Sequence, residues 1–166
     1  MKQWMVLVAC GLLAGCDYTV PLAMTPEMGI DAEVVGLWQR TIEEGQLERL
    51  LVLPLSKQEY LVSFPAGATN AMFARACLFR AAGKTLVQLA WFGTAKATVP
   101  EGNRVFQFAA CTLAGDRLTV RLLNAERVNR DAKSADELAK AIADNKDKPD
   151  LFRDEMVFSR VKDQDQ

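Results

Sequence analysis

The sequence predicts a mainly β protein in which about eight antiparallel strands close into a barrel, with one helix before the last strand. Short apolar runs recur between turn-forming residues, and several alternate apolar with polar side chains, as a half-buried strand does. Most neighbouring runs are joined by only a few residues, which requires antiparallel pairing. A single sheet of this size tends to close because closure removes its exposed edges, and a two-sheet β-sandwich is the alternative.

Seven strands are predicted before the helix and one after it. Tyr60, Val62 and Phe64 share one face of the third strand by their two-residue period. Residues 56–58, 81–84 and 114–116 form turns that join three pairs of strands into hairpins, and Ala114-Gly115-Asp116 is a strong turn signal. The predicted strands are 33–42, 47–55, 59–64, 72–80, 85–92, 104–113, 117–123 and 155–161.

One stretch changes to a helical period. Ser134 and Glu137 fit a capping box, in which each side chain satisfies a backbone N–H at the start of a helix. Leu138 and Ile142 follow at helical spacing, and Asn145 marks the end. The apolar stripe is short and narrow, so we expect this helix to cover the barrel rather than to enter a membrane.

The first sixteen residues read as an export signal. Lys2 precedes an apolar run over residues 4–13 that is too short for a permanent membrane span. Leu13-Ala14-Gly15-Cys16 then resembles the bacterial lipobox. That resemblance implies cleavage before Cys16, a diacylglyceryl group on its sulfur and an acyl group such as palmitate on its new amino terminus. The alternative is an ordinary secretory signal with a chance cysteine.

Lipidation implies a periplasm-facing protein held to the cell membrane, since two acyl chains on one residue give stable anchoring. Asp17 resembles the signal that retains lipoproteins in the inner membrane of enteric bacteria, but other bacteria use different positions. The choice between inner and outer membrane therefore stays open.

Four segments are predicted along the chain. Residues 1–15 are the signal peptide, 16–31 the lipidated N-terminus and a tether, 32–162 the barrel domain, and 163–166 a polar tail. The tether assignment depends on Pro21, Pro26 and Gly29 in a stretch of little periodicity, although its apolar residues could lie on the barrel wall.

Composition excludes several chemistries. The chain has no histidine, which removes Ser-His-Asp and Cys-His catalysis and the commonest zinc ligand. Lys and Arg number 20 against 21 Asp and Glu, so no basic surface for nucleic acid is predicted. We expect no metal site, no cofactor and no enzymatic activity. After export and lipidation only Cys77 and Cys111 remain, and they form either a disulfide or two buried small side chains.

A second resemblance concerns the barrel itself. Gly36-Leu37-Trp38 in the first strand resembles the Gly-x-Trp signature of the lipocalin-like, or calycin, barrels, and Arg160 in the last strand matches the family's basic residue. The resemblance implies that Trp38 closes one barrel end and that Arg160 packs across its ring, a contact worth ~0.5–2 kcal/mol. The chain also resembles small bacterial lipoproteins that carry such barrels.

Two functions remain open at this point. The first is a non-enzymatic binding or interaction module that contacts another envelope protein. The second, on the calycin resemblance, is a carrier of a small apolar ligand. We expect aromatic side chains to be bulky enough to fill the barrel, which would favour the first function. These are Phe64, Phe79, Trp91, Phe92, Phe106 and Phe108.

Overall fold

The computed structural model describes residues 18–162. The predicted signal peptide, Cys16, Asp17 and the polar tail lie outside the described residues. Eight antiparallel strands pair in sequence order and close into a barrel. They are β1 Gly36–Thr41, β2 Leu47–Pro54, β3 Glu59–Phe64, β4 Met72–Ala81, β5 Lys84–Thr94, β6 Phe106–Ala114, β7 Arg117–Leu123 and β8 Phe152–Arg160, and the helix α1 is Ala135–Asp144.

The predicted fold class is confirmed. Strands β1 and β8 pair through Trp38 with Arg160 and Gln39 with Ser159, so the sheet has no free edge. The sandwich alternative is wrong for the same reason. Strands β3 and β7 begin and end at the predicted residues, and β8 begins three residues earlier than predicted.

The barrel has two unlike ends. At the hairpin end lie the short turns between β2 and β3, β4 and β5, and β6 and β7, together with a 3-10 turn at Ala32–Val34 that precedes β1. At the connection end lie the longer segments 42–46, 65–71, 95–105 and 124–151, the last of which contains α1. The two ends therefore differ in the length of the segments that connect the strands there.

Helix α1 begins as the capping signal predicts. The Glu137 N–H donates to Ser134 Oγ at 3.2 Å, while the Glu137 carboxylate accepts from the Lys133 N–H at 2.8 Å. Its apolar stripe buries Leu138 and Ile142 against the outside of the barrel. The helix thus adds a second packed layer to one wall.

Residues 18–31, which we call the strap, run along that wall from the connection end to the hairpin end. Tyr18 pairs with Phe106 where β6 begins, and the Ile30 N–H donates to the Lys57 carbonyl in the β2–β3 turn at 3.1 Å. Between them the Gln88 side chain accepts from the N–H groups of Leu22 and Ala23 at 2.7 and 2.9 Å. Partly buried apolar side chains and these hydrogen bonds hold residues 18–31 on the barrel wall, which is the second possibility that the sequence left open for this segment.

The strap and α1 give the protein two cores, one inside the barrel and one outside it. This corrects the expected filling of the barrel by aromatic side chains. Phe64 and Trp91 belong to the interior core, whereas Phe79, Phe106 and Phe108 belong to the outer core and Phe92 is 48% exposed. Because the strap and α1 cover this outer wall, large apolar side chains are buried on a face that alternation alone would assign to solvent.

Candidate functional site

The barrel interior contains a chamber of about 210 Å³. It occupies the half of the interior toward the hairpin end, where inward-facing residues of six strands, β2 to β7, meet. Asp31 and Thr85 stand exposed at its rim, so the chamber reaches solvent there. The wall is almost entirely aliphatic and includes Val52, Val62, Leu78, Val87, Leu89 and Leu118.

The half of the interior toward the connection end is filled. Phe64 and Phe158 pack edge to face with centroids 6.1 Å apart, and Trp91 joins the same cluster. Beyond them Arg40 lies with its guanidinium carbon 5.3 Å from the centre of the Phe158 ring and forms a mostly buried ion pair with Glu48. The chamber is therefore closed at one end by aromatic packing and a charge pair.

Tyr60 is the main polar group at the mouth. Its hydroxyl accepts a hydrogen bond from the Asp31 N–H at 2.6 Å and donates to the Asp31 carbonyl at 3.3 Å. Burial raises the pKa of Tyr60, although the Asp31 backbone hydrogen bond acts in the opposite direction. The hydroxyl thus stays protonated and joins the end of the strap to the rim, with one lone pair left to accept a further bond.

Cys77 and Cys111 are both free, so the disulfide alternative is not what the structure holds. Cys111 lines the chamber, whereas Cys77 follows the inward-facing Ala76 and lies outside, 3.9 Å from Gln88 Nε2. The barrel wall separates the two thiols. Burial raises the pKa of Cys111 to about 12, so the chamber contains a neutral thiol rather than a nucleophilic thiolate.

Trp38 and Arg160 position the rim. The Arg160 guanidinium carbon lies 4.2 Å from the centre of the Trp38 ring, and the same group donates to the carbonyls of Glu33 and, at 2.9 Å, Val35. The Trp38 indole N–H donates to the Val34 carbonyl at 2.9 Å. These bonds fix the 3-10 turn that brings Asp31 and Val34 to the chamber.

The structure gives a steric reason why the first residue of the Gly-x-Trp signature is glycine. Gly36 has φ +144°, which side-chain-bearing residues rarely adopt, and a Cβ there would lie 2.9 Å from an Arg160 guanidinium nitrogen. The backbone of β1 must approach the arginine this closely for the guanidinium to reach both Trp38 and the carbonyls. Gly36, Trp38 and Arg160 therefore pack together as one unit.

The remaining predictions about sites concern lipid and metal. Cys16, the predicted lipid-attachment residue, lies outside the described residues. Within residues 18–162 no three His, Cys, Asp or Glu side chains come together as a metal site requires. No helix in that part of the chain is long and apolar enough to cross a bilayer.

No family model, curated protein or solved structure matches the chain. At the level of fold, the closed eight-stranded antiparallel barrel fits the calycin resemblance. The hydrogen bonds of Gln88 to the strap and the pairing of Tyr60 with Asp31 are features around the candidate site that sequence reasoning missed. Tyr60 stood out only as an apolar member of an alternating face, because nothing local indicates where its hydroxyl finds a partner.

Proposed function

We propose that this protein is a lipid-anchored, non-enzymatic binding protein of the cell envelope whose barrel holds one small apolar ligand. The observation that carries the proposal is the aliphatic chamber of about 210 Å³, open at the hairpin end. Concave, mostly apolar pockets with a few convergent polar groups are the usual form of a small-molecule site.

The chamber volume limits the ligand. An apolar cavity of about 150 Å³ accommodates benzene, whereas pockets for drug-sized molecules run to roughly 300–1,000 Å³. A chamber of about 210 Å³ suits a molecule a little larger than benzene, such as a single substituted ring or a short branched chain. A whole phospholipid is too large for it.

The polar groups of the mouth limit the ligand further. Tyr60 offers a hydroxyl lone pair and Thr85 a hydroxyl at the rim, while the deeper wall offers only the weakly polar thiol of Cys111. A ligand with its apolar part inside and one donor group at the mouth would satisfy both. A charged ligand would leave its charge unpaired in the aliphatic interior.

We include the absence of enzymatic activity in this proposal because of the side chains that the chain and the chamber offer. The chain has no histidine to act as a general base, and the thiol inside the chamber is protonated at physiological pH. Binding without turnover is what a neutral, aliphatic pocket supports best.

A protein partner is the second candidate function. Leu53 and Leu55, 39% and 47% exposed, stand close together near the hairpin end of β2, and Phe92 is exposed on β5. Single exposed apolar side chains are ordinary on protein surfaces, so they support a partner less strongly than the chamber supports a ligand.

Thermal unfolding and NMR titration with toluene test the ligand proposal. Ala109 lines the chamber and is 1% exposed, whereas Ala114 on the same strand is exposed. We expect toluene to raise the unfolding temperature of the wild type and of Ala114→Leu and to shift resonances of chamber residues. Ala109→Leu, which reduces the chamber volume, should abolish both effects. Equal responses in both variants, or none in the wild type, would contradict the proposal.

Radiolabelled palmitate tests the anchor independently. Cells that express the full chain should incorporate label into the wild type and lose it in Cys16→Ala, since the lipobox cysteine is the predicted acceptor. Label retained after Cys16→Ala would refute that assignment and leave the chamber proposal standing.

A further inference from the structure

We infer that the surface around Tyr18 lies against the lipid bilayer, with phospholipid headgroups as its partner. We call this the Tyr18 surface: Tyr18 with the neighbouring segments 95–105 and 124–134 at the connection end. The inference rests on the proposed lipid anchor at Cys16 and adds an orientation to it.

Covalent geometry sets the distance. Only Asp17 separates Cys16 from Tyr18, and a chain extends by at most about 3.3–3.6 Å per residue. The Cα atom of Tyr18 therefore stays within roughly 7 Å of the Cα atom that carries the lipid. A linker this short cannot let an anchored barrel turn freely above the membrane.

Tyr18 is itself fixed to the barrel. It is 1% exposed, its backbone exchanges two 3.1 Å hydrogen bonds with Phe106, and its hydroxyl donates to the Val128 carbonyl at 3.0 Å. Its ring packs edge to face on Phe108 with centroids 5.2 Å apart. Peeling the strap away to lengthen the linker would break all of these contacts.

The chemistry of the Tyr18 surface suits anionic headgroups. Arg104 joins its two segments by an ion pair with Asp131 and a bond to the Arg130 carbonyl. The two segments hold five Lys and Arg against three Asp and Glu, while the chain as a whole carries a net charge of −1. Val99, 68% exposed, offers an apolar side chain to the headgroup region.

Fluorescence quenching tests the orientation in the lipidated protein. The mature chain is purified from membranes and reconstituted in phosphatidylethanolamine–phosphatidylglycerol vesicles that contain a phosphatidylcholine with a nitroxide on its headgroup. Val99→Trp reports from the Tyr18 surface, and Leu55→Trp, at the hairpin end, is the matched control. Trp38 and Trp91 are buried inside the barrel, so their fluorescence in the wild type gives the background to subtract.

We expect Val99→Trp to lose most of its added fluorescence and Leu55→Trp to keep it. Equal quenching of both, or stronger quenching of Leu55→Trp, would overturn the orientation. A flexible Gly/Ser insertion between Cys16 and Asp17 should restore the fluorescence of Val99→Trp, and undiminished quenching there would refute the short linker as its cause. Vesicle flotation separates the two proposals: protein that fails to float refutes the anchor, whereas floating protein with the wrong pattern refutes the orientation alone.

Discussion

Replacing Trp38 with alanine is expected to lower the free energy of unfolding by about 3–5 kcal/mol, the usual loss when a buried large aromatic is truncated. The indole is completely buried, and its N–H bond to the Val34 carbonyl disappears with it. With a urea dependence of roughly 2 kcal/mol/M, the unfolding midpoint should fall by about 2 M. A loss well under 1 kcal/mol would show that the ring does not hold this end of the barrel.

A double-mutant cycle isolates the contribution of Arg160. Arg160→Met removes the cation from the Trp38 ring and two hydrogen bonds from backbone carbonyls. Once Trp38 is alanine, the second substitution can lose only the hydrogen bonds and the 3.6 Å ion pair with Asp116, both of which cancel in the cycle. We therefore expect a coupling energy of about 0.5–2 kcal/mol, the range for a guanidinium on an aromatic face.

Urea unfolding of the four proteins in the cycle gives that coupling directly. Arg75→Met is the matched control, because Arg75 pairs with Glu59 on the outer wall and is more than half exposed, so its loss should be under about 1 kcal/mol. Arg160→Lys keeps the charge but loses the planar fork, and should fall between wild type and Arg160→Met. A coupling within about 0.3 kcal/mol of zero would refute the stabilising role of the ring contact.

Three further changes test other parts of the structure. Gly36→Ala should destabilise the fold by about 1–3 kcal/mol, since it strains a positive φ and pushes Arg160 aside; urea unfolding no different from the wild type would contradict the close approach. Gln88→Leu should speed hydrogen exchange across residues 18–31, because the N–H groups of Leu22 and Ala23 lose their acceptor; unchanged exchange would mean that the side chain does not hold the strap. Burial raises the pKa of Cys111 from 9.0 to about 12, so the unfolded chain releases this proton first as the pH rises. Stability from this group should be intact below pH 9 and fall by about 1.4 kcal/mol per pH unit above it, and Cys111→Ala should remove that slope in urea unfolding at pH 8–11. Parallel slopes in the two proteins would refute the assignment.

The sequence carries most of the fold because strands and turns are local features. Alternation places Tyr60, Val62 and Phe64 on one face, and Gly115 ends β6 at a turn. The helix cap at Ser134 is a local hydrogen bond that the three-residue spacing of Ser134 and Glu137 already implies.

The candidate site was less predictable because its features depend on contacts between distant segments. Phe79 and Phe108 face outward, where the strap and α1 cover them, and their smaller inward-facing neighbours Leu78 and Ala109 line the chamber. Val20 and Leu22 lie in a segment with a proline that reads as a linker until Gln88, 66 residues beyond Leu22, supplies its hydrogen bonds. No local pattern reports which face of a strand will be covered from outside.

The two ends of the barrel have consequences for how a ligand would travel. The chamber mouth lies at the hairpin end, whereas the strap begins with Tyr18 at the other, next to the proposed anchor residue in the sequence. With the Tyr18 surface on the bilayer, the entrance faces the aqueous compartment. A ligand would then enter and leave the chamber through water or by transfer from another protein. It would not cross the hydrocarbon core of the membrane to which the protein is proposed to be anchored.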